Sequence, residues 1–389
     1  MPFNFREALT YFYYSLFRTK GSPARLSPKR LIFLWIIFTL YPFWQIYLRL
    51  GYYLDELLFP AYREQKIDSP IFIVGNFRSG TTFLHHLLLR DQEATALKTW
   101  EIFFAPSITY RKVFRAIIWA SRMVGSPVRW LVKQFNKPIE SYIYMHETGI
   151  DKIEEDSHIF YHLWSSYNLF ALFPFPELAK KYIYYDQQVP PEQKESDFRY
   201  YREILRRHLF LNESKRYISK NPDFSPAVKT IQEFFPDARF INIVRDPVDM
   251  VPSTINMWST HWHTFGSPKE DYPLKETLIE HARHWYAYPH EVLKSLPEDR
   301  YAVIDFSTFV ADPKQVIEGV YEKFGMDITP RYAWILEKET ERSRHYESNH
   351  EYSLQEMGLD ETFIHREFDP LLDKYSFQES YPKTHPAKR

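Results

Sequence analysis

The sequence predicts an α/β fold in which helices cover both faces of a parallel sheet. Three observations support this prediction: short apolar runs recur along the chain, a helical segment follows each run, and 389 residues suffice for one large core. Continuous apolar strands that alternate with helices are typical of parallel sheets. We predict strands at 71–74, 216–219, 239–244 and 301–305, and helices after them at 80–91, 225–235, 247–258 and 313–325.

The order of these elements predicts the domain organisation. Residues 101–210 lie between the first two strands and read as a long, aromatic, mainly helical insertion, which we interpret as a cap over a substrate pocket. Residues 70–389 then form one domain, preceded by an N-terminal hydrophobic segment at 1–69. Because ligands of open α/β sheets bind beyond the carboxyl ends of the strands, we expect the chemistry directly after each strand.

The first strand is followed by a loop that predicts phosphate binding. Residues 71–82 read Ile-Phe-Ile-Val-Gly-Asn-Phe-Arg-Ser-Gly-Thr-Thr, so Gly75 and Gly80 enclose four residues between a strand and a helix. In this P-loop-like layout, backbone N–H groups and a helix N-terminus hold phosphate. A triphosphate site requires Lys after the second Gly, whereas this chain has Thr81 there and Arg78 inside the loop. The loop therefore predicts a nucleotide whose transferred group is not a γ-phosphate.

A second phosphate-binding element follows the third predicted strand. Arg245 ends the strand, and Asp246 and Pro247 begin a helix with proline at its first position. Ser253 lies about two helical turns further on. A guanidinium offers planar, bidentate donors, so Arg245 and Ser253 are suited to bracket a phosphate, with a simple capped turn as the alternative. The two elements together predict a nucleotide with phosphates at two separated places.

With both elements in place, the sequence resembles the sulfotransferases that use 3′-phosphoadenylyl sulfate (PAPS). Residues 77–82 resemble the 5′-phosphosulfate loop of that family, and residues 240–253 resemble its 3′-phosphate motif. Lys220-Asn-Pro and Thr99-Trp-Glu101 extend the resemblance, which covers residues 70–360. The Arg-Ser-Gly-Thr-Thr form of the loop is similar to the branch that includes tyrosylprotein sulfotransferases and many bacterial members.

The resemblance implies a reaction and a set of site residues. Sulfuryl transfer from PAPS to a hydroxyl is an in-line displacement that depends on positioning and charge stabilisation and needs no metal. The resemblance gives Lys220 a contact to the bridging oxygen or sulfate, and makes Glu101 the base. It implies that the donor is held by Arg78, Ser79, Gly80, Thr81, Thr82, Phe83, Arg245 and Ser253.

Several of these assignments have alternatives. Glu101 is either the base or the partner of a nearby cation, and His85 or His86, one turn beyond the loop, is the rival base. Phe83 either stacks on adenine or packs in the core. The acidic run at 154–156 either orders the acceptor pocket or forms a solvated turn.

Composition and motifs bear on the other function classes. The chain has no cysteine, so it has no disulfide or thiolate chemistry, and no metal-ligand spacing is apparent. A net charge of −1 gives no strong basic field, which argues against nucleic acid as a partner. A P-loop kinase-like enzyme is the first alternative function, and the missing Lys disfavours it. The second is an inactive membrane scaffold of the same fold, which the retained set Arg78, Glu101, Lys220, Arg245 and Ser253 disfavours.

The N-terminal segment predicts contact with a membrane. Residues 31–44 are nearly all apolar, but a span needs roughly 20 such residues, so we predict an interfacial or re-entrant helix over 31–50. A helix docked on the protein's own core and a true span are the alternatives. A second stretch, 111–133, places Arg115, Arg122 and Arg129 seven residues apart, which suits either an anionic membrane or a solvated face.

This segment shapes our expectation for partner and location. A membrane-contacting helix and an aromatic cap favour a lipid-like or other small hydroxyl acceptor. We expect a cytoplasmic, membrane-associated protein. A Golgi type II membrane protein is the alternative, since basic residues precede the apolar run.

Overall fold

The computed structural model describes residues 2–123, 125–128, 130, 132–134, 149, 151–213, 215–343 and 354–375. Within these residues a parallel sheet is built from β1 Ile71–Gly75, β2 Ala94–Thr95, β3 Arg216–Lys220, β4 Arg239–Val244 and β5 Tyr301–Asp305. The strand order is β2-β3-β1-β4-β5. The predicted α/β fold with a parallel sheet is thereby confirmed.

All four predicted strands are present, and their bounds agree with the prediction within one residue. The edge strand β2 was not predicted, because two residues are too few to show a strand period. It pairs with the first two residues of β3.

The described helices are α1 Phe5–Phe17, α2 Pro28–Leu58, α3 Thr81–Leu88, α4 Thr99–Phe103, α5 Ile108–Arg122, α6 Leu169–Leu172, α7 Pro176–Ile183, α8 Tyr185–Gln188, α9 Pro191–Phe210, α10 Val228–Phe234, α11 Pro247–Phe265, α12 Lys275–Leu293, α13 Phe306–Ala311, α14 Pro313–Lys323, α15 Pro330–Ser343 and α16 Glu361–Leu372. The four predicted helices correspond to α3, α10, α11 and α14. α10 begins three residues later than predicted, because Pro222–Ala227 form a 3₁₀ turn first. α11 continues seven residues beyond its predicted end, to Phe265.

Side chains of the central strands alternate between two apolar layers. In β1, Phe72 and Val74 point into one layer, whereas Ile71 and Ile73 point into the other. The second layer is completed by helices that follow the strands in sequence, chiefly α3, α14 and α15.

The insertion at 101–210 covers one face of the sheet. Phe160 and Phe198 belong to the same buried layer as Phe72, and Tyr201 packs 6.5 Å from the Phe72 ring. This differs from a cap that only roofs a pocket, because side chains of the insertion pack in the same buried layer as this apolar face of the sheet.

The N-terminal segment is more helical than predicted. The apolar run lies inside α2, a helix of 31 residues, which by length and composition alone is long enough to cross a membrane. Tyr11 of α1 and Leu34 of α2 are buried against Trp164 and Phe173 of the insertion, so part of this segment docks on the protein. Most of the outer side of α2 is exposed.

Candidate functional site

Parallel pairing places the two phosphate-binding elements side by side. β1 is hydrogen-bonded to β4 with Gly75 opposite Ile243, so the chain leaves both strands at the same edge of the sheet. Gly75 has φ +137°, and a Cβ atom there would lie 2.4 Å from the Ile243 carbonyl oxygen. Only glycine fits this close approach. Ser225 fixes the strand end, because its Oγ accepts from the Gly75 N–H (2.9 Å) and donates to the Gly75 carbonyl (3.0 Å).

The loop between β1 and α3 has an unusual backbone. Arg78 and Gly80 both adopt positive φ, +64° and +86°, and Gly80 precedes the first residue of α3. A Cβ atom on Gly80 would lie 2.4 Å from the Phe306 ring, so both the conformation and the space require glycine. The Ser79 Oγ is buried and has no hydrogen-bond partner in the described structure. A buried hydroxyl without a partner in such a loop fits a ligand that brings acceptor oxygens.

The residues after β4 complete the arrangement. Asp246 caps α11 by accepting from the Val248 N–H (2.8 Å), as the sequence predicts for this turn. Arg245 donates through Nη1 to the Arg78 carbonyl (3.0 Å), and Arg78 donates through Nε to the buried Ser253 Oγ (3.0 Å). The structure thus brings together Arg78, Arg245 and Ser253, which come from motifs far apart in the sequence. Arg245 Nε is also buried and lacks a hydrogen-bond partner.

The sequence reasoning missed Phe306, the first residue after β5. Its ring lies against Gly80 and 4.7 Å beneath the Arg245 guanidinium, a cation–π contact that fixes the plane of the arginine. Its position directly after a strand was the available signal, because side chains at strand ends point toward the ligand edge. Tyr286 was also missed, and its hydroxyl donates to the Arg245 carbonyl.

Lys220 ends β3 on the other side of β1. It lies opposite Ile73 in the parallel register and is almost fully buried. Its Nζ is 2.9 Å from Glu155 Oε1, so a buried cation at this edge is paired with a carboxylate of the insertion.

The acidic run at 154–156 is not a solvated turn. Asp156 is buried and accepts hydrogen bonds from four side chains, which belong to Tyr201, Tyr217, Ser219 and Asn221. This network fastens the run to the end of β3. Burial raises the pKa of Glu154 to about 7; Lys220 opposes this rise and Glu155 adds to it.

Glu101 is buried beside two arginines and a histidine. Its Oε1 is 3.9 Å from Arg111 and 4.0 Å from Arg115, and its Oε2 is 3.7 Å from His208 Nδ1. It also accepts from the Lys98 backbone N–H (3.0 Å) at the start of α4. Burial raises the pKa of Glu101, but Arg111, His208, Lys98 and Arg115 together lower it below its usual value. The predicted alternative for Glu101, pairing with a nearby cation, is thus present, although the individual partners were not predicted.

The remaining predicted residues lie on α3. Thr81 is buried at the first position of the helix, and Thr82 follows it half-buried. Phe83 packs 4.9 Å from the Phe309 ring, so it contacts the core. His85 is buried, with Nε2 3.2 Å from the Ile218 carbonyl; burial, followed by Lys220, holds its pKa well below its usual value. His85 is therefore a neutral imidazole, and its hydrogen bond to the Ile218 carbonyl holds the ring against β3.

Comparisons with known proteins bear on this geometry. A model of the sulfotransferase family matches residues 70–330, which is more than half of the chain. Two curated relatives are omega-hydroxy-beta-dihydromenaquinone-9 sulfotransferases Stf3, from Mycobacterium bovis and Mycobacterium tuberculosis. Each is 23% identical over 329 residues, which cover 81% of this chain and 77% of the relative.

Two solved structures share the fold. Sulfotransferase STF1 from Mycobacterium tuberculosis has a TM-score of 0.70 at 18% identity, covering 94% of this chain and 92% of its own. Sulfotransferase STF9 from Mycobacterium avium has a TM-score of 0.67 at 17% identity, with coverage of 95% and 96%. The kinase-like alternative is overturned by the family match. The chain belongs to the sulfotransferase family.

Proposed function

We propose that the protein transfers the sulfuryl group of PAPS to the hydroxyl of a small, lipid-like acceptor. One observation carries the choice of donor: the hydrogen-bonded set Arg78, Arg245 and Ser253 lies beside a glycine loop with a buried, unpartnered hydroxyl at Ser79. This set offers cationic and hydroxyl groups to two phosphates, one at the loop and one at the start of α11. We call residues 75–82, Arg245 and Ser253 the donor site.

Each residue of the donor site has a role in this proposal. The loop N–H groups, Arg78, Ser79, Thr81 and Thr82 hold the 5′-phosphate and sulfate. Arg245 and Ser253 hold the 3′-phosphate, and the adenine contact of Phe83 remains a prediction. No metal is needed, because the cations carry the charge stabilisation.

The reaction in this proposal is an in-line displacement. The acceptor oxygen forms a bond to sulfur while the bond from sulfur to the 5′-phosphate oxygen breaks, and the acceptor proton passes to a carboxylate. Lys220 stabilises the negative charge that develops on the leaving oxygen. The Lys220 ammonium has three N–H groups, so it can hydrogen-bond to Glu155 and to the bound PAPS at the same time.

The base is a buried carboxylate, and two candidates differ in electrostatics. Glu101, the predicted base, is ionised at neutral pH because four groups stabilise its charge. Glu154 lies by Lys220 and has a pKa of about 7, near the value at which a base works best. We retain Glu101 as the proposed base, and the pH dependence of the rate separates the two.

Two observations support a lipid-like acceptor. The curated relatives named above are sulfotransferases of a hydroxylated dihydromenaquinone. In this chain, the exposed apolar side of α2, which contains the predicted segment 31–50, suits a membrane surface. We therefore propose a cytoplasmic, membrane-associated enzyme, with a Golgi type II arrangement as the alternative.

Calorimetric titration tests the donor class. We expect adenosine 3′,5′-bisphosphate to bind much more tightly than ATP, and Arg245→Ala to weaken bisphosphate binding at least about tenfold, because a charged hydrogen-bonded contact is lost. Arg366→Ala, an exposed arginine on α16, is the matched control and should bind normally. Preferential ATP binding that is indifferent to Arg245 would overturn the proposal, and absence of any nucleotide binding would favour the inactive scaffold.

A further inference from the structure

Exposed large apolar side chains are concentrated on one part of the molecule. Among the described residues, every strongly exposed large apolar side chain except Trp334 lies between Phe5 and Trp130. They occur on α1, α2, α5 and the adjoining loops. The exposed fractions reach 69% for Trp35, 67% for Phe43 and 64% for Trp119. Soluble proteins seldom expose apolar area on this scale unless it meets a partner.

α1 and α5 both pack on α2. α1 packs on the first half of α2, where the Phe12 and Phe38 rings are 4.9 Å apart. α5 packs on the second half of α2, where Tyr47 and Tyr110 stack at 4.4 Å. Gly51 makes this approach close, since a Cβ atom there would lie 2.6 Å from the Tyr110 ring. We call the exposed side of α1, α2 and α5 the docking face.

The inner side of α2 is fastened to the protein by buried polar groups. Arg30 donates through Nη1 to the carbonyls of Leu172 and Phe265, both at 2.6 Å. Gln45 donates to the His162 carbonyl (2.9 Å). Near the C-terminus of the helix, the fully buried Asp55 pairs with Arg207 at 3.0 Å.

These contacts exclude a membrane-spanning position for α2 in this structure. A span would remove α2 from its partners and place Arg30, Gln45 and Asp55 in or near hydrocarbon, at a cost of several kcal/mol for each unsatisfied group. With the contacts intact, α2 is available to a membrane only along its outer side, parallel to the surface.

Charge identifies the kind of membrane. Residues 1–58 and 107–133, which contain α1, α2 and α5, hold thirteen of the chain's 49 Lys and Arg but only three of its 50 acidic residues. Of the thirteen cations, Arg30 and Arg111 are buried. All three carboxylates are paired: Glu7 with Lys181, and Asp55 and Glu56 with Arg207. Exposed Lys112, Arg115 and Arg122 line α5 beside its apolar side chains. A basic, apolar surface on a chain of net charge −1 complements anionic lipid.

We propose that the docking face seats the protein on one leaflet of an anionic bilayer, with α1, α2 and α5 lying in the interface and no helix crossing it. This deepens the proposed function, on which it rests for the chemistry of the acceptor. α5 carries both the docking face and Arg111 and Arg115, which contact Glu101. α5 therefore links the docking face to the proposed base.

Vesicle sedimentation tests the docking face. The full chain is mixed with vesicles of phosphatidylcholine alone or with 30% phosphatidylglycerol. We expect tight binding to the anionic vesicles, weaker binding to the neutral ones, and a loss of affinity on adding salt. The double variant Trp35→Gln/Trp119→Gln should lower the partition coefficient at least about tenfold, because two large apolar side chains no longer enter the interface.

Two further variants separate the contributions. Trp334→Gln removes an equally exposed tryptophan, 63% exposed, outside the docking face and should bind vesicles normally. Lys112→Gln/Arg122→Gln should lower binding to anionic vesicles about fivefold for each lost charge and leave binding to neutral vesicles unchanged. The substituted side chains are exposed, so the variants should keep the unfolding temperature of the wild type.

The outcomes distinguish this proposal from its rivals. Equal loss of binding in Trp334→Gln, or no binding to anionic vesicles, would overturn it. If the membrane-bound protein resists alkaline carbonate extraction, the interfacial arrangement is wrong and α2 spans the bilayer. A dimer in solution that Trp35→Gln/Trp119→Gln converts to monomer would assign the face to a second copy. Bisphosphate binding is measured in parallel; its loss would count against the proposed function and not against docking.

Discussion

The donor site and the docking face distribute polar and apolar groups in opposite ways. In the donor site, Ser79, Thr81 and Ser253 are polar groups buried at a sheet edge. In the docking face, tryptophans such as Trp35 and Trp119 are exposed on helix surfaces. Both arrangements cost free energy in isolation, because buried polar groups need partners and apolar surface avoids water. We therefore expect each region to bind a ligand. The ligand of the donor site supplies hydrogen-bonding groups, and the ligand of the docking face covers apolar surface.

The two regions also differ in how they are held. The donor site depends on strand register and glycine geometry within the sheet, whereas the docking face depends on buried ion pairs beneath α2 and α5. Perturbations of one region should therefore leave the other intact.

The pH dependence of the rate should identify the base. Glu101→Gln should lower kcat about 10²- to 10⁴-fold if Glu101 takes the proton. A carboxylate base works only when deprotonated, so with Glu101, whose pKa is lowered, the rate should stay constant between pH 6 and 8. With Glu154 as base, the rate should fall as the pH drops through about 7.

The matched variant for this comparison is Glu154→Gln. A slope through pH 7 that Glu154→Gln abolishes, with a normal profile in Glu101→Gln, would transfer the role to Glu154. Bisphosphate affinity should be unchanged in both variants, since neither carboxylate belongs to the donor site.

Asp55→Asn should destabilise the protein where α2 and the start of α5 meet, beneath the docking face. Asp55 is fully buried, pairs with Arg207 and accepts from the Ile108 and Thr109 N–H groups at the start of α5. Replacing Asp55 costs about 1–3 kcal/mol of unfolding free energy, because buried N–H donors lose a charged acceptor while Arg207 keeps its ion pair with Glu56 at 3.2 Å. Denaturant unfolding measures the loss.

Glu195→Gln is the control for Asp55→Asn. Its partner Arg199 lies on the same helix as Arg207, but both side chains of that pair are exposed, so the loss should stay below about 1 kcal/mol. Equal losses in the two variants would show that burial of the Asp55 pair is not what secures α2.

Gly80→Ala should affect the donor site alone. The added Cβ meets the Phe306 ring and the residue has φ +86°, so we expect a loss of about 1–3 kcal/mol in stability together with weaker bisphosphate binding. Gly325→Ala has a similar φ of +59° but open space around the added atom, so it should lose about 1–2 kcal/mol and bind bisphosphate normally. Normal binding in Gly80→Ala would remove the loop from the donor site.

Much of the fold was predictable because its signals are local. Neighbouring residues encode the helix that follows each strand, the loop glycines at 75 and 80, and the Asp-Pro helix start at 246–247. These features were predicted correctly. The contact of Phe306 with Arg245 was not predictable, because it joins residues from two different strand ends. The pairing of Lys220 with Glu155 escaped prediction for the same reason.

The sequence by itself determined the family motifs, the parallel sheet and the presence of an apolar N-terminal helix, since local patterns and spacing encode these. Tertiary structure decided which side chains meet. It joined Arg78 to Ser253 through strand register, placed Arg111 and Arg115 beside Glu101, and buried Asp156 of the acidic run. It also turned one side of α2 inward and the other outward. Burial and charge pairing across distant segments depend on packing, which no local pattern records.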